Sequence, residues 1–396
     1  MKFFRKQLKN GLTLLYEPRD LPLVSVSIAN PFGAAHETSD IKGIAHFMEH
    51  LVFTGTKTRT HEDISREIEK KGGMLNAFTD HLVTNFYFKL PSEHLFAGLD
   101  ILTDIIKNPI FDEKKFEKEK KVILEEIKMY HDAPQHHIYE KILENLYGKP
   151  LGEGIIGSNS TINALTRNQV ADYFAEHYNP KDYIVTIVGK ADIEKVCEYL
   201  ENQFVRKNKE SKIQSITKKN SSSVEERAGI DQAHFVFAIH APLAGDSKLH
   251  ALEVMDAYLA NGMSSKLFLT IREERGLAYS VKSSIDAKKH YSYYTIYVGT
   301  TKQAIPEVKK LILEGLDSIS KITEKDLEEA KERLIGLQKI GAEESISVMN
   351  ELMFSELATK AEDYYEYEKD IRKVTLEDVK ALGKIGKYST AAIIPK

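Results

Sequence analysis

Residues 41–53 read IKGIAHFMEHLVF, and this stretch predicts a helix that is apolar on nearly every side. Ser39 or Asp40 is suited to cap the start of the helix, and Gly55 is suited to end it. A helix with so little polar surface is expected to lie in a protein core. Any polar side chain within it must therefore be satisfied by other parts of the chain or by a ligand.

Three polar side chains lie on one side of this helix. At about 100° per residue, His46, Glu49 and His50 project within an arc of about 100°. Burying two imidazoles and a carboxylate is costly unless they satisfy one another or bind a metal. Histidines at i and i+4 are spaced to chelate a metal, and a glutamate beside them can act as a general base. The alternative is a buried polar cluster without a metal.

The composition limits how such a metal could be held. The chain has 396 residues but one cysteine, Cys197, which excludes an internal disulfide framework and a multi-cysteine zinc or iron–sulfur site. The ligands would therefore be His, Asp or Glu side chains. Because a catalytic zinc takes three protein ligands and keeps one position open for water, a third ligand is required.

A second predicted helix, residues 112–130, offers that ligand. Its apolar residues are placed on one broad face, namely Phe116, Val122, Ile123, Ile127, Met129 and Tyr130. Glu119 and Glu126 fall inside this face, whereas Glu125 falls outside it. This periodicity favours Glu126 as the third ligand and places Glu119 where it could orient a ligand. The alternative is a kinked or rotated helix with both glutamates in solvent.

The chain is expected to form two related domains. Residues 206–226 are rich in Lys, Asn and Ser and predict an exposed linker between 1–205 and 227–396. Each half has strand-like segments, a buried helix and a long charged helix (112–130 and 323–337), and then closes with a short helix and a β-branched strand. These features predict a duplicated α+β domain, with a mostly antiparallel sheet and helices packed on one face.

Charge and hydropathy exclude several classes of partner. The 55 basic and 59 acidic residues give a net charge of −4, which argues against general nucleic-acid binding. The sequence has no apolar run of the length that spans a membrane, and its first residues are too charged for a signal peptide. We therefore expect a soluble, cytoplasmic protein that binds neither nucleic acid nor membrane.

Several segments resemble the inverted-motif zinc peptidases, the family of pitrilysin, insulin-degrading enzyme and mitochondrial processing peptidase. The segments that carry the resemblance are HFMEH at 46–50, GGMLNAFT at 72–79, LEEI at 124–127, YNP at 178–180, IVG at 187–189, GMSSKLF at 262–268 and REERGLAY at 272–279. They span nearly the whole chain. The resemblance implies a zinc endopeptidase with one Zn²⁺ per subunit, held by His46, His50 and Glu126, although Mn²⁺ or Co²⁺ could also support activity. It makes Glu49 the general base.

The resemblance also assigns a strand that binds substrate. Asn76, Ala77 and Phe78 would lie at the exposed edge of the first domain's sheet, where an extended peptide can add as a further strand. This mode of binding selects unfolded peptides. Without the resemblance, Gly72 and Gly73 would indicate an ordinary turn before a strand, and both interpretations can hold together.

A further pair, Arg272 and Tyr279, would bind the substrate carbonyl and the charge that develops on its oxygen. From the residues alone, the charged segment around Arg272 is more typical of a solvated helix face. Arg275 is the local alternative to Arg272.

The resemblance implies an assembly as well. The family forms a closed chamber from two pieces of two domains each, and this chain supplies one piece. Because it carries both the metal motif and the Arg–Tyr pair, it predicts a homodimer rather than a heterodimer. Two other functions remain open: a non-catalytic core or assembly subunit of the same fold, and a structural metal site in a binding module. The intact metal motif argues against the first, and Glu49 argues against the second.

Overall fold

A computed structural model describes residues 3–178, 180–204 and 212–396. Asn179 of the YNP segment and residues 206–211 of the predicted linker lie outside the described residues. The chain forms two compact units. The first comprises Met1–Met129, Glu153–Ser215 and Gly341–Glu362, and the second comprises Tyr130–Gly152, Ile216–Ile340 and Asp363–Lys396.

The strands form one sheet in each unit. In chain order they are β1 Phe4–Gln7, β2 Thr13–Pro18, β3 Leu23–Asn30, β4 Met74–Thr79, β5 Thr84–Pro91, β6 Ile184–Gly189, β7 Ser222–Arg227, β8 Ala233–His240, β9 Ala278–Ala287, β10 Ser292–Thr300 and β11 Ser389–Pro395. The sheet orders are β1-β2-β6-β3-β5-β4 and β7-β11-β8-β10-β9. Neighbours are antiparallel except β2 with β6 and β7 with β11. The predicted, mostly antiparallel α+β fold is therefore confirmed.

The helices pack against these sheets. In chain order they are α1 Ile44–Val52, α2 His61–Glu69, α3 Leu95–Lys107, α4 Glu113–Asp132, α5 Pro134–Leu146, α6 Asn159–Ala164, α7 Arg167–His177, α8 Ile193–Gln203, α9 Lys248–Leu259, α10 Ile305–Asp317, α11 Glu324–Gly341, α12 Ser345–Ala358, α13 Asp363–Lys373 and α14 Leu376–Leu382. A π-helical segment covers Phe268–Glu274. Among the described residues, no helix is long and apolar enough to cross a membrane.

Helices α5 and α12 do not belong to the unit that their position in the chain predicts. Helix α12 packs on β3 and β6 of the first unit, and α5 packs on β8 and β11 of the second. Helix α12 covers the face of β3 that carries Ser25, and Oγ of Ser25 lies 2.8 Å from Oγ of Ser345. Because side chains alternate along a strand, Val24 and Val26 point to the opposite face and pack in the apolar core. The compact units therefore differ from the contiguous ranges 1–205 and 227–396, which stay a prediction about duplicated domains.

The last part of the predicted linker is not irregular. Ser222–Arg227 forms β7 and pairs in parallel with β11 at the edge of the second sheet. Its residues alternate between exposed and half-buried positions. Pairing with β11 satisfies one edge of the strand through backbone hydrogen bonds, so the segment needs few apolar side chains and its composition concealed the strand.

Helix α1 begins later than expected and has a different cap. The residue before it is Gly43, with φ of 97°, and Ser39–Ile41 forms a separate 3-10 turn. The Glu37 carboxylate accepts hydrogen bonds from the N–H groups of Gly43, at 3.1 Å, and Ala45, at 2.7 Å. The expectation that Ser39 or Asp40 caps this helix is wrong, because a buried carboxylate earlier in the chain satisfies its first N–H groups.

Candidate metal centre

Helices α1 and α4 of the first unit bring His46, His50 and Glu126 together. Nε2 of His46 lies 3.7 Å from Oε2 of Glu126, and Nε2 of His50 lies 3.5 Å from the same oxygen. One ligand atom from each of the three residues lies within 4.8 Å of the others. Ligand bonds of 2.0–2.2 Å in a tetrahedral zinc site separate neighbouring ligand atoms by about 3.4 Å. The three side chains therefore converge at the spacing of a zinc site.

Glu119 supports this cluster from behind His50. Its Oε2 lies 3.4 Å from Nδ1 of His50, on the side of the ring opposite to the nitrogen that faces Glu126. A carboxylate in this position fixes the tautomer and the orientation of a ligating imidazole. Glu119 thus lies within reach of His50, and its role as an orienting residue stays a prediction.

The adjacent glutamates Glu125 and Glu126 of α4 differ in how much of the side chain is exposed. The side chains of Glu119 and Glu126 are 20% and 21% exposed, whereas that of Glu125 is 72% exposed and pairs with Lys128. The face of α4 is narrower than predicted, however. Phe116 and Ile123 are buried, but three of the residues assigned to the apolar face are exposed, namely Val122, Met129 and Tyr130.

The electrostatics of the cluster favour a cation. Burial lowers the pKa of His46 to about 4, and His50 adds to this shift, so the His46 imidazole is neutral and available as a ligand. Burial disfavours a charge on His50, but the nearby carboxylates of Glu119 and Glu126 outweigh burial and raise its pKa to about 9. Burial also opposes ionisation of Glu126, yet the contacts with His50 and His46 lower its pKa.

Two buried atoms at the centre lack hydrogen bonds. Nδ1 of His46 and Oε2 of Glu126 have no hydrogen-bond partner among the described residues. Polar atoms buried in this way are costly unless a ligand satisfies them. The Glu126 oxygen faces both imidazoles, so a divalent metal would satisfy it and replace the proton on His50. The residues present therefore fit Zn²⁺.

Glu49 lies beside the cluster with a partner of its own. Its Oε2 accepts a hydrogen bond of 2.6 Å from the hydroxyl of Thr79. Burial raises the pKa of Glu49, and the Thr79 hydrogen bond only partly opposes this. Thr79 is the last residue of the GGMLNAFT segment at 72–79, and the sequence alone gives it no role. No local pattern shows that a hydroxyl at the end of β4 meets a helix that lies more than twenty residues earlier in the chain.

Strand β4 carries the three predicted substrate residues. It is the last strand in the sheet order and pairs on one side with β5. Asn76 is exposed, and its side-chain oxygen accepts a hydrogen bond of 2.8 Å from the N–H of Ala77. The ring of Phe78 is half-buried, 6.1 Å from that of Phe354 on α12. Asn76 and Ala77 thus lie at a sheet edge, while Phe78 also has a packing role.

Arg272 and Tyr279 belong to the second unit. Arg272 lies in the π-helical segment, with its guanidinium 4.8 Å from the Phe268 ring centroid and its side chain 43% exposed. Tyr279, on β9, is 64% exposed and lines a groove of about 550 Å³. Arg275, the local alternative, pairs with Glu307 at 2.7 Å. The guanidinium of Arg275 is therefore already engaged by a carboxylate from another helix.

Comparison with known families agrees with this arrangement. The model of insulinase, peptidase family M16, matches residues 17–159, and that of the peptidase M16 inactive domain matches residues 164–334. The uncharacterized zinc protease YmxG of Bacillus subtilis is 30% identical over 98% of this chain and 97% of its own length. The chain belongs to peptidase family M16.

Two further proteins extend the likeness. An uncharacterized zinc protease of Rickettsia felis is 33% identical over 82% of this chain and 79% of its own length. A protease from Helicobacter pylori has the same fold, with a TM-score of 0.92, 21% identity and coverage of 100% of this chain and 99% of that one. The predicted family resemblance is thus confirmed. His46, Glu49, His50 and Glu126 fall within the part matched by the insulinase model.

The first prediction concerns the third metal ligand. Glu126→Gln should weaken zinc binding by more than the about 10–100-fold typical of an orienting residue, while Glu119→Gln should fall in that range. Zinc content after dialysis and competition with a chromophoric chelator measure both effects. Glu125→Gln is the matched control and should bind zinc as the wild type does. Loss of zinc in Glu125→Gln with full retention in Glu126→Gln would reject this ligand assignment.

Proposed function

We propose that this chain is a zinc-dependent endopeptidase that cleaves unfolded peptides. The observation that carries the proposal is the position of Glu49. It is not among the three converging ligands, yet it lies on the same helix between two of them, and its carboxylate is held by the last residue of the edge strand β4. A metal site with a structural role alone would not need a half-buried carboxylate beside it, whereas hydrolysis needs a general base.

The side chains around the centre divide the work of the reaction. When bound, zinc lowers the pKa of a coordinated water to about 7 and polarises the scissile carbonyl. Glu49 accepts the proton of the attacking water and passes it to the leaving amine. Burial raises the pKa of Glu49, which improves the carboxylate as a base, and Thr79 holds one of its oxygens in place. Glu119 keeps the His50 ring in its orientation.

The edge strand supports the choice of an unfolded substrate. A peptide that pairs with β4 must present its own backbone N–H and C=O groups, which folded proteins use internally. Thr79 ends this strand and contacts Glu49, so a peptide paired along Asn76 and Ala77 would be led towards the base. Disordered peptides should therefore be cut while the same segments inside stable folded domains survive.

We further propose that the active site is completed by a second copy of this chain, in a homodimer that encloses the substrate. Arg272 and Tyr279 would bind the substrate carbonyl oxygen and the negative charge that forms on it. The exposure of both side chains supports this role. Arg272 has one loose ion pair, 3.5 Å from its neighbour Glu273, whereas the rival Arg275 pairs more closely with Glu307, at 2.7 Å. A chamber of this kind would hold one catalytic zinc per subunit and exclude folded proteins.

The second prediction separates zinc binding from proton transfer. Glu49→Gln should keep the zinc content of the wild type but lower kcat by about 10²–10⁴-fold, since only the general base is lost. Glu125→Gln, the same change on an exposed residue, should keep both. Cleavage of an unstructured fluorogenic peptide and elemental analysis measure the two properties. Substantial activity in Glu49→Gln would reject the base role. A zinc-loaded wild type that cuts no peptide would favour an assembly subunit.

The third prediction tests how Glu49 is positioned. Thr79→Val should lower kcat by roughly tenfold, the loss expected for one hydrogen bond to a charged group, with little change in KM or zinc affinity. Thr79→Ser keeps the hydroxyl and should restore most of kcat. If Val and Ser variants lose activity equally, the hydroxyl has no part in positioning the base.

The fourth prediction tests the shared active site by mixing two inactive chains. Glu49→Gln retains the Arg–Tyr pair, and Arg272→Ala retains the metal machinery. Random exchange makes half of the dimers mixed, each with one intact site, so activity should return to about a quarter of the wild type. Mixing Glu49→Gln with the Glu49→Gln/Arg272→Ala double variant is the control and should restore nothing. If mass measurements verify exchange and no activity returns, Arg272 does not act across the dimer.

A further inference from the structure

The second unit contains another group of metal-ligating side chains, separate from the candidate active site. His131 lies in the last turn of α4, His137 lies on α5 and Glu225 lies on β7. One ligand atom from each lies within 4.8 Å of the others. The two imidazole rings are 4.8 Å apart, close to the 4.6 Å between the rings of His46 and His50.

His137 is held in the same way as His50. Its Nδ1 lies 2.9 Å from a carboxylate oxygen of Glu140, and its Nε2 lies 3.4 Å from Oε2 of Glu225. The side chain is only 11% exposed, so the ring has little freedom to turn. A carboxylate at one ring nitrogen directs the lone pair of the other towards the second carboxylate, which is the arrangement of a metal-binding histidine.

Glu225 uses its two oxygens for different partners. Oε1 pairs with Arg227 at 2.5 Å, while Oε2 faces His137. The pair with Arg227 thus leaves Oε2 as the oxygen that faces the fixed imidazole nitrogen of His137.

Arg227 is also the main competitor for this cluster. Its guanidinium donates to the backbone oxygen of His131 and lies 3.4 Å from Nε2 of the His131 ring. That ring is 56% exposed and has Asp132 3.5 Å from its Nδ1, so it has room to turn from Arg227 towards the other two ligands. The nearby positive charge makes this cluster a weaker cation site than the first.

We propose that His131, His137 and Glu225 bind a second divalent transition-metal ion, one per chain, with no part in catalysis. Two imidazoles and one carboxylate form a donor set that suits Zn²⁺ and its neighbours rather than Mg²⁺ or Ca²⁺. The flanking carboxylates of Glu140 and Asp132 each face a ring nitrogen of a ligand, so they would orient the ligands rather than act as a base, which suits a structural ion. The ion would tie the α4–α5 corner to β7, an edge strand with β11 as its one neighbour in the sheet.

Zinc titration of the untagged chain by calorimetry tests this site. The wild type should bind two zinc ions per chain, and His131→Asn, an exposed change, should leave one. In a His46→Asn/His50→Asn background, one zinc should remain, and adding His137→Asn or Glu140→Gln should weaken it by at least about tenfold. His136→Asn is the matched control, because this exposed neighbour lies outside the cluster and its loss should change nothing.

Circular dichroism and the thermal midpoint show that each variant is folded. A wild type that binds a single zinc would overturn the proposal. An equal effect of His136→Asn and His131→Asn would overturn it too, since the zinc would then be held by a histidine-rich surface rather than by this cluster.

Discussion

The chain carries two imidazoles and a carboxylate on a helix whose remaining residues are apolar, and the structure must compensate the burial of these groups. Burial of ionisable side chains is tolerated when charge and hydrogen bonds are supplied around them. Helix α4 supplies Glu126 and Glu119, and β4 supplies Thr79. The remaining unsatisfied Glu126 oxygen is the point at which a divalent cation would complete the compensation. The start of α1 is held by another buried carboxylate, that of Glu37, so the position of the ligands depends on tertiary contacts at both sides of the helix.

In the proposed function, the same contacts would link substrate binding to proton transfer. Strand β4 is both the free edge of the first sheet and the source of the hydroxyl that holds Glu49. A peptide that extended this sheet would order the strand whose last residue orients the base. In the proposed function the second unit would contribute a different chemistry, since Arg272 and Tyr279 are exposed on it while the candidate metal ligands belong to the first unit. That division underlies the proposal that two chains complete one active site.

The extent to which the sequence predicted this arrangement depends on how local each feature is. Helix periodicity predicted that His46 and His50 share one face of α1 and that Glu126 rather than Glu125 lies on the core face of α4, because helix geometry relates residues that are near in sequence. The exposure of Glu125 agrees with this, whereas the meeting of the two helices is a tertiary contact that periodicity does not predict. Periodicity overestimated the apolar face of α4, where Val122, Met129 and Tyr130 are exposed. The polar composition of residues 222–227 did not predict β7, because this edge strand is stabilised by backbone pairing with β11 and needs few apolar side chains. Three features arise from tertiary packing, for which a single sequence has no periodic signal. They are the cap by Glu37, the contact of Thr79 with Glu49, and the packing of α5 on the second unit and of α12 on the first. The Arg–Tyr pair was assigned through family resemblance, and its role stays a prediction.

The central claim is that a zinc ion held by His46, His50 and Glu126 makes this chain a peptidase. Its most direct test is cleavage of an unstructured peptide by metal-free protein to which zinc is returned stepwise. The account predicts no cleavage after chelation and dialysis, with recovery in proportion to the first equivalent of zinc and no further gain from a second. Undiminished cleavage by protein shown to be metal-free by elemental analysis would contradict it.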